Sequence, residues 1–356
     1  MLLLAALTAI ASAVTTQQTS RHSVSGDTVA IYNLVGDVRV EGGSGTAVTV
    51  EVSRVGRDAG QLRIETGPIR GRETLRVIYP DDDIVLPGRN GWWNTELRVR
   101  DDGTFNDEER CNGHEGCEGR RSGRSGRLIR IKSRGDGVEA GADLRVIVPR
   151  GQKVAVYLGI GRAMVSNVDG HLRVDVSAAD VTTDHTKGYL IIDTGSGEVN
   201  VTDAEGNVNL DTGSGSVAVT RMKGTGLFID TGSGEVNATD VDATNVDIDT
   251  GSGSVDLRNM RARTLRVDTG SGEVEVRLLA PSEEIDIDTG SGSVTLAVPE
   301  GLSAMVEIDT GSGGIDLGFP VQVRKLESDH VTGQIGDGRG TLRIETGSGS
   351  VRLIKI

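Results

Sequence analysis

The sequence predicts an all-β fold: a right-handed parallel β-solenoid of about 19 residues per coil, with one irregular loop excursion in its N-terminal third. The first observation behind this is a repeat. Asp-Thr-Gly-Ser-Gly occurs seven times, starting at Asp193, Asp211, Asp230, Asp249, Asp268, Asp288 and Asp309, at spacings of 18 to 21 residues. A relaxed copy begins at Glu345, 36 residues later, and Glu327-Ser328 marks a worn coil between them. Tandem periods of this length belong to stacked units, none of which buries a core alone. The second observation is alternation: Val246 and Ile248 precede one turn and Val255 and Leu257 follow it, and the next period has Leu265/Val267 and Val274/Val276. The third is that Asp247, Asp256, Arg266, Glu275 and Asp286, which lie between those apolar residues, are charged and must face outward.

Each period therefore reads as two short strands, each with one buried face. Thr-Gly-Ser-Gly makes one corner at nearly constant length. The opposite corner varies, as in Asp203-Ala-Glu-Gly206 and Arg258-Asn-Met-Arg-Ala-Arg263, and absorbs the change in period. A hairpin meander would leave the Val, Ile and Leu face of a wide sheet bare, forgoing roughly 1.5–3 kcal/mol per side chain. Coils that turn those residues inward bury them against one another. About eleven coils, counted back to Val156, would extend roughly 50 Å at about 4.8 Å each.

Taken in order, residues 1–13 read as a signal peptide. Met1 to Ile10 is an apolar run too short to span a bilayer, and Ala11-Ser12-Ala13 has the small-x-small pattern of a cleavage site, although a basic n-region is missing. No Cys near that point suggests a lipid anchor. Residues 14–27 read as a polar linker. Residues 28–79 form an N-terminal β segment of short alternating stretches such as Val48 to Val52 and Leu75 to Ile78. From 80 to 126 the alternation stops, and the array runs from 127 to 356. The 80–126 excursion holds Asp81-Asp82-Asp83, the Trp92-Trp93 pair, both cysteines, and Arg120, Arg121 and Arg124 in an Arg/Gly/Ser tract. Long excursions in compact proteins are functional or mobile, so these residues form the candidate binding loop. Trp92 and Trp93 either contact a ligand or pack the loop onto the scaffold. Cys111 and Cys117 are expected to form a local disulfide in an exported chain, with a metal site built on both thiols and His114 as the alternative.

Charge narrows the partners. The formal net charge is −14, and residues 190–317 hold 23 acidic and 7 basic residues. An acidic body excludes nucleic acid as the expected partner, since phosphate neutralisation needs Lys and Arg. Residues 110–134 instead hold eight basic residues against Glu115 and Glu118. That patch is either a solvated surface or a dock for an anionic partner.

Ile191-Ile192-Asp193-Thr194-Gly195-Ser196 looks like the loop of aspartic proteases, but that chemistry needs two aspartates converging in a cleft. Seven aspartates one coil apart fit a structural role better. Each Asp is expected to accept backbone N–H bonds in an Asx-turn, Thr and Ser to bond along the stack, and each Gly to take φ > 0. The residue after the motif alternates, Glu198, Ser216, Glu235, Ser254, Glu273, Ser293, which spaces like charges two coils apart. The aspartates have no such spacing and form a candidate weak cation ladder. Hard oxygen ligands suit Ca2+, but no cofactor is otherwise expected and the repeat is not that of calcium β-rolls. The Thr/Ser file superficially resembles that of ice-binding solenoids, but its glycines imply a curved corner.

Several segments together resemble a bacterial candidate-adhesin domain family of unknown function. They are Tyr32-Asn-Leu-Val-Gly-Asp-Val-Arg-Val40, Ala142-Asp-Leu-Arg-Val-Ile-Val-Pro149 leading to Lys153-Val-Ala-Val156, and the repeated Asp-Thr-Gly-Ser-Gly-Glu/Ser-Val. The likeness spans most of residues 28–356 outside the excursion. It implies a β-solenoid at the cell envelope and brings no catalytic residues. The expected function is a non-enzymatic, exported, adhesin-like surface or periplasmic protein with no transmembrane span and an unidentified cell-surface, polysaccharide or protein partner. The competing classes are a carbohydrate-active β-helix enzyme, which needs carboxylates converging in an aromatic-lined groove, and a calcium-dependent scaffold.

Overall fold

The repeats stack as expected into a parallel β-solenoid, all-β among the described residues apart from one short 3-10 turn at Ala59–Gln61. The computed structural model describes residues 19–88, 94–106, 126–318 and 320–356. Val199–Thr212, Val217–Thr231, Val236–Thr250 and Val255–Thr269 are successive coils. They pair in parallel, so that Val199, Val217, Val236 and Val255 lie in one row.

Each of these coils is a single bent strand, not the two short strands read from the sequence. The bend falls on one residue in the left-handed region: Asp203 (φ 52°), Arg221 (57°), Asp240 (59°) and Asn259 (57°). A one-residue bend of this kind leaves the ladder intact. Thr202 pairs with Thr220 just before it and Ala204 with Met222 just after. Length changes are absorbed beyond the bend, where Gly206 pairs with Gly224 but Asn207 pairs with Gly226.

The two arms of a coil face each other across the core. In one coil Val236, Ala238 and Val241 from the first arm and Val246 and Ile248 from the second are all buried. The strands of these coils end at Gly-Ser-Gly, where backbone hydrogen bonds still cross between coils, as from Gly253 N to Ser271 O. There Gly253 has φ +152°, and a Cβ on it would lie 1.9 Å from the carbonyl oxygen of Gly234 in the coil below. Glycine is required at that position both by the dihedral and by the spacing of the coils.

Both ends close through segments distant in sequence. Thr28–Gly43 is itself a coil of the stack and pairs in parallel with Lys153–Ser166, which pairs with Asp169–Thr194. Its outer side is covered by Arg72–Ile78 and Gly141–Pro149. Antiparallel neighbours Arg63–Ile69, Val48–Val55 and Thr19–Val24 follow on those strands.

At the other end the last coil in sequence is not the last in space. Gly340–Thr346 and Val351–Lys355 lie between the coil at 284–298 and the coil at 304–318. Ala304–Thr310 then pairs antiparallel with His330–Ile335, which forms a hairpin with Gln322–Leu326. Glu327-Ser328 is therefore in the turn of this end cap and is not a worn coil. Among the described residues no helix is long and apolar enough to cross a membrane.

Candidate functional site

Alternation along the second arm sends every other side chain outward, and parallel stacking turns those positions into ladders. The motif aspartates make one of them. Asp193, Asp211, Asp230, Asp249, Asp268 and Asp288 are in register, Asp288 pairs with Glu345, and Glu345 pairs with Asp309. The same ladder runs back through Asp175, which pairs with Tyr157, and Tyr157 pairs with Tyr32.

The expected Asx-turns do not form at Asp230, Asp249, Asp268 and Asp288. The corner N–H groups are spent between coils, as in Gly213 N donating to Thr194 O and Gly234 N to Ser252 O. Among the described residues Asp230, Asp249, Asp268 and Asp288 accept no hydrogen bond, and their charges face one another. Asp249 is held above the usual carboxylate range by partial burial, then by Asp230 and Asp268. Asp288 is raised by partial burial, then by Asp268 and Glu345.

The threonines depart from expectation too. Alternation points them inward, and Thr346 Oγ1 donates to Gly292 O at 3.0 Å instead of to another hydroxyl. Thr212, Thr231 and Thr250 have buried Oγ1 atoms with no hydrogen-bond partner among the described residues.

The upper end of the ladder lies beneath the foot of the excursion. Two strands, Asp83–Val85 and Asn94–Val99, occur where an irregular loop was expected, and with Arg127–Lys132 and Val138–Glu139 from beyond it they form a small sheet in the order Asn94–Val99, Arg127–Lys132, Asp83–Val85, Val138–Glu139. The apolar signal of the first two is thin, which hid them in the sequence. Phe105 meets Tyr32 edge-on at 5.8 Å, and Tyr32 stacks on Tyr157 at 4.6 Å and 5°. Asn106 Nδ2 donates to Asp175 Oδ1 (3.1 Å) and to Ser177 Oγ (3.0 Å). Asp175 is only 4% exposed. Burial, with Asp193 as the second cause, pushes its carboxyl up to about 6 against the pull of Arg173. Arg173 Nη2 lies 3.4 Å from both Asp175 Oδ2 and Asp193 Oδ2. The expected loop-site residues Trp92, Trp93, Arg120, Arg121 and Arg124, and the Cys111–Cys117 disulfide, lie outside the described residues. So does the leader.

The bend carries a second ladder that the sequence reading missed. Asn167, His185, Asp203, Arg221, Asp240 and Asn259 all sit in the left-handed region. Arg221 clamps Asp203 through Nε at 2.7 Å and Nη2 at 2.8 Å, and Asn259 Nδ2 donates to Asp240 Oδ1 at 2.9 Å. His185 Nδ1 is 2.8 Å from Asp184 Oδ2, and its Nε2 is 3.8 Å from Asp203 Oδ2. Asp184, His185 and Asp203 are close enough together to hold a metal ion. Asp203 is already taken by Arg221, however, and Asp184 holds His185 toward its cationic form, so the arrangement fits an ion-pair ladder better. A period of 18 or 19 in polar residues at the variable corner was the available signal.

A cleft of about 420 Å3 opens on the outward face of the first coils. Its wall includes Arg72, Lys153, Tyr157, His171, Arg173 and Tyr189. Arg72 Nη1 donates to Tyr157 Oη at 3.0 Å, and the His171 and Tyr189 rings stack at 4.8 Å and 12°.

Residues 179–353 match the Toastrack family, DUF4097. Three solved structures resemble the chain at low identity. A candidate cell adhesion protein from Clostridium sporogenes is 9% identical, with 96% of this chain and 100% of that one covered and a TM-score of 0.21. A candidate adhesin from Parabacteroides distasonis is 10% identical, with 95% and 98% covered and a TM-score of 0.38. One from Bacteroides fragilis is 10% identical, with 96% and 98% covered and a TM-score of 0.31. No curated protein matches the chain.

Proposed function

We propose that this chain, whose residues 179–353 match the Toastrack family, is a non-enzymatic, exported, adhesin-like protein of the cell envelope. The coils serve as a rigid scaffold, and the excursion is the binding element. The observation that supports this reading is how firmly the excursion is seated. Its four-stranded foot is packed through Phe105 on Tyr32 and hydrogen-bonded through Asn106 to Asp175 and Ser177. Binding segments carried on a rigid scaffold lose less freedom on association than free ones. Stretches 89–93 and 107–125, with Trp92, Trp93 and the Arg tract, spring from this foot.

The test replaces residues 107–125 with a short Gly/Ser linker, which spares the described strands of the foot. Purified full-length and replaced proteins are compared for attachment to envelope fractions of the source cells. Attachment of the full chain, lost on replacement, is the expected result, and equal attachment by both forms would remove the excursion from the proposal. Release of reducing ends from envelope polysaccharide by the full chain would replace this reading with the carbohydrate-active one.

A further inference from the structure

We infer that the cleft on the outward face of the first coils, walled on one side by Arg72, is a binding site for an acidic sugar unit, one bearing a carboxylate or a phosphate. This deepens the adhesin-like reading and rests on it for biological context, but the chemistry stands on the cleft alone.

Charge is the first argument. The whole chain has 52 acidic and 38 basic residues. Yet the wall of this cleft carries Arg72, Lys153 and Arg173 and no carboxylate among the described residues. Two other clefts of comparable size are mixed. One sets Asp37, Glu51 and Asp143 against Arg39 and Arg145, and the other sets Glu284, Asp286 and Glu307 against Arg324 and Arg343. A concave surface lined by one sign of charge concentrates ligands of the other sign, even on a molecule whose net charge matches theirs. Arg173 is engaged by Asp175 and Asp193 at 3.4 Å. Lys153 is exposed and forms no ion pair with any described carboxylate, which makes it the principal anion contact.

Shape and surface chemistry supply the second argument. About 420 Å3 falls within the roughly 300–1,000 Å3 of small-molecule sites. Lys153 pairs with His171 across one coil step, and His171 stacks on Tyr189 one coil further. Lys153 and Tyr189 thus stand about 10 Å apart, two strand spacings, on one ladder. Tyr189 is 49% exposed, unusually open for a ring that already stacks on a neighbour. With Ile191 it offers an apolar wall for the C–H face of a sugar ring. The Tyr157 hydroxyl, fixed by Arg72, is a further polar group at the base. An apolar wall, a hydroxyl and a cation facing one space suit a ring with one charged substituent better than they suit a bare ion or a neutral chain.

The test is calorimetric titration of the full-length protein with trigalacturonate, glucose 6-phosphate, inorganic phosphate and neutral maltotriose. Saturable binding of trigalacturonate or glucose 6-phosphate is expected, and the tighter of the two identifies the source of the anion. Lys153→Ala should weaken that binding about tenfold, the loss of one charge-assisted hydrogen bond. Tyr189→Ala should weaken it as well, while Lys223→Ala, an exposed lysine elsewhere on the stack, should leave it unchanged. Both test positions are solvent-exposed, and unchanged circular dichroism confirms that the variants fold. No saturable binding of either acidic sugar overturns the inference. So does equal binding of maltotriose, equal affinity for inorganic phosphate, or a Lys153→Ala protein that binds as the parent does. If the titrations fail while attachment to envelope fractions still depends on residues 107–125, the cleft inference falls and the excursion proposal stands.

Discussion

Replacing Asp175 with Asn should stabilise the protein at neutral pH, and the gain should shrink in acid. The carboxyl titrates at about 6 in the fold against an ordinary value of 3.8, chiefly because it is buried beneath Asn106 and secondly because Asp193 is near. A raised acid pKa means that the folded state holds its proton more tightly than the unfolded state does. The ionised group therefore penalises the fold, fully above pH 6, and the penalty is relieved as pH falls toward 3.8. With about 1.4 kcal/mol per pH unit, the penalty is about 3 kcal/mol at pH ~7.5 and about 1 kcal/mol at pH ~4.5. The amide keeps the shape and an acceptor for Asn106 Nδ2, and Arg173 keeps Asp193 as its partner. Urea unfolding followed by circular dichroism at both pH values measures the difference between variant and parent. The variant should be more stable by up to about 3 kcal/mol at the higher pH, and by about 2 kcal/mol less than that at the lower. An Asp175→Asn protein that is less stable by the same amount at both pH values would falsify the reasoning. That result would mean the ion pair with Arg173 outweighs the burial of the charge.

Gly253→Ala should destabilise the stack by about 3 kcal/mol or more, since its Cβ would meet Gly234 O at 1.9 Å in a positive-φ position. Gly314→Ala, where a Cβ meets nothing within 4 Å, should stay within about 0.5 kcal/mol of the parent in the same unfolding assay. Thr231→Val should raise stability by about 1 kcal/mol, because it replaces a buried hydroxyl that has no described partner with a methyl group of the same shape. Millimolar Ca2+ should raise the melting temperature by screening the aspartate ladder, and less so in Asp249→Asn; a melting temperature indifferent to calcium and chelator would remove the cation ladder. Mass spectrometry of protein from the source cells should find a mature chain beginning at Val14, and recovery of intact Met1 to Ala13 would argue against export.

The coil architecture was legible because the repeat fixes which residues alternate, and alternation fixes which of them are buried. Val246 and Ile248 could be placed inside and Asp247 outside from the pattern alone. The bend was not legible: His185, Asp203, Arg221, Asp240 and Asn259 share a backbone conformation and no common side-chain chemistry. Nor were the two foot strands within the excursion, Asp83–Val85 and Asn94–Val99, which hold too few apolar residues to rise above a loop. The placement of Gly340–Lys355 between two earlier coils escaped because its motif, Glu345-Thr-Gly-Ser-Gly, is the same whichever neighbours it takes. The cleft escaped because only its Tyr189 lies in a coil carrying the motif, at Asp193; Lys153 and His171 recur at the same spacing of 18 but in coils without it, and the three side chains share no chemistry that would mark them as a row. The aspartates do lie in one row, but the hydrogen bonding of Asp230, Asp249, Asp268 and Asp288 was misjudged because the corner amides serve the next coil.

Inserting the final coil between two that are synthesised before it has a consequence for how the molecule is completed. Residues 304–335 have no stack to join until the strands at 340–355 fill the slot between them and the coil at 284–298. The middle coils, by contrast, each find a partner within about one period of chain, the kind of short-range contact that assembles quickly. Residues 340–355 thus act as a keystone. A nascent chain can grow its central rod while still emerging, but the far end stays unlatched until residues 340–355 are free, so loss of only those residues should open a whole end of the rod.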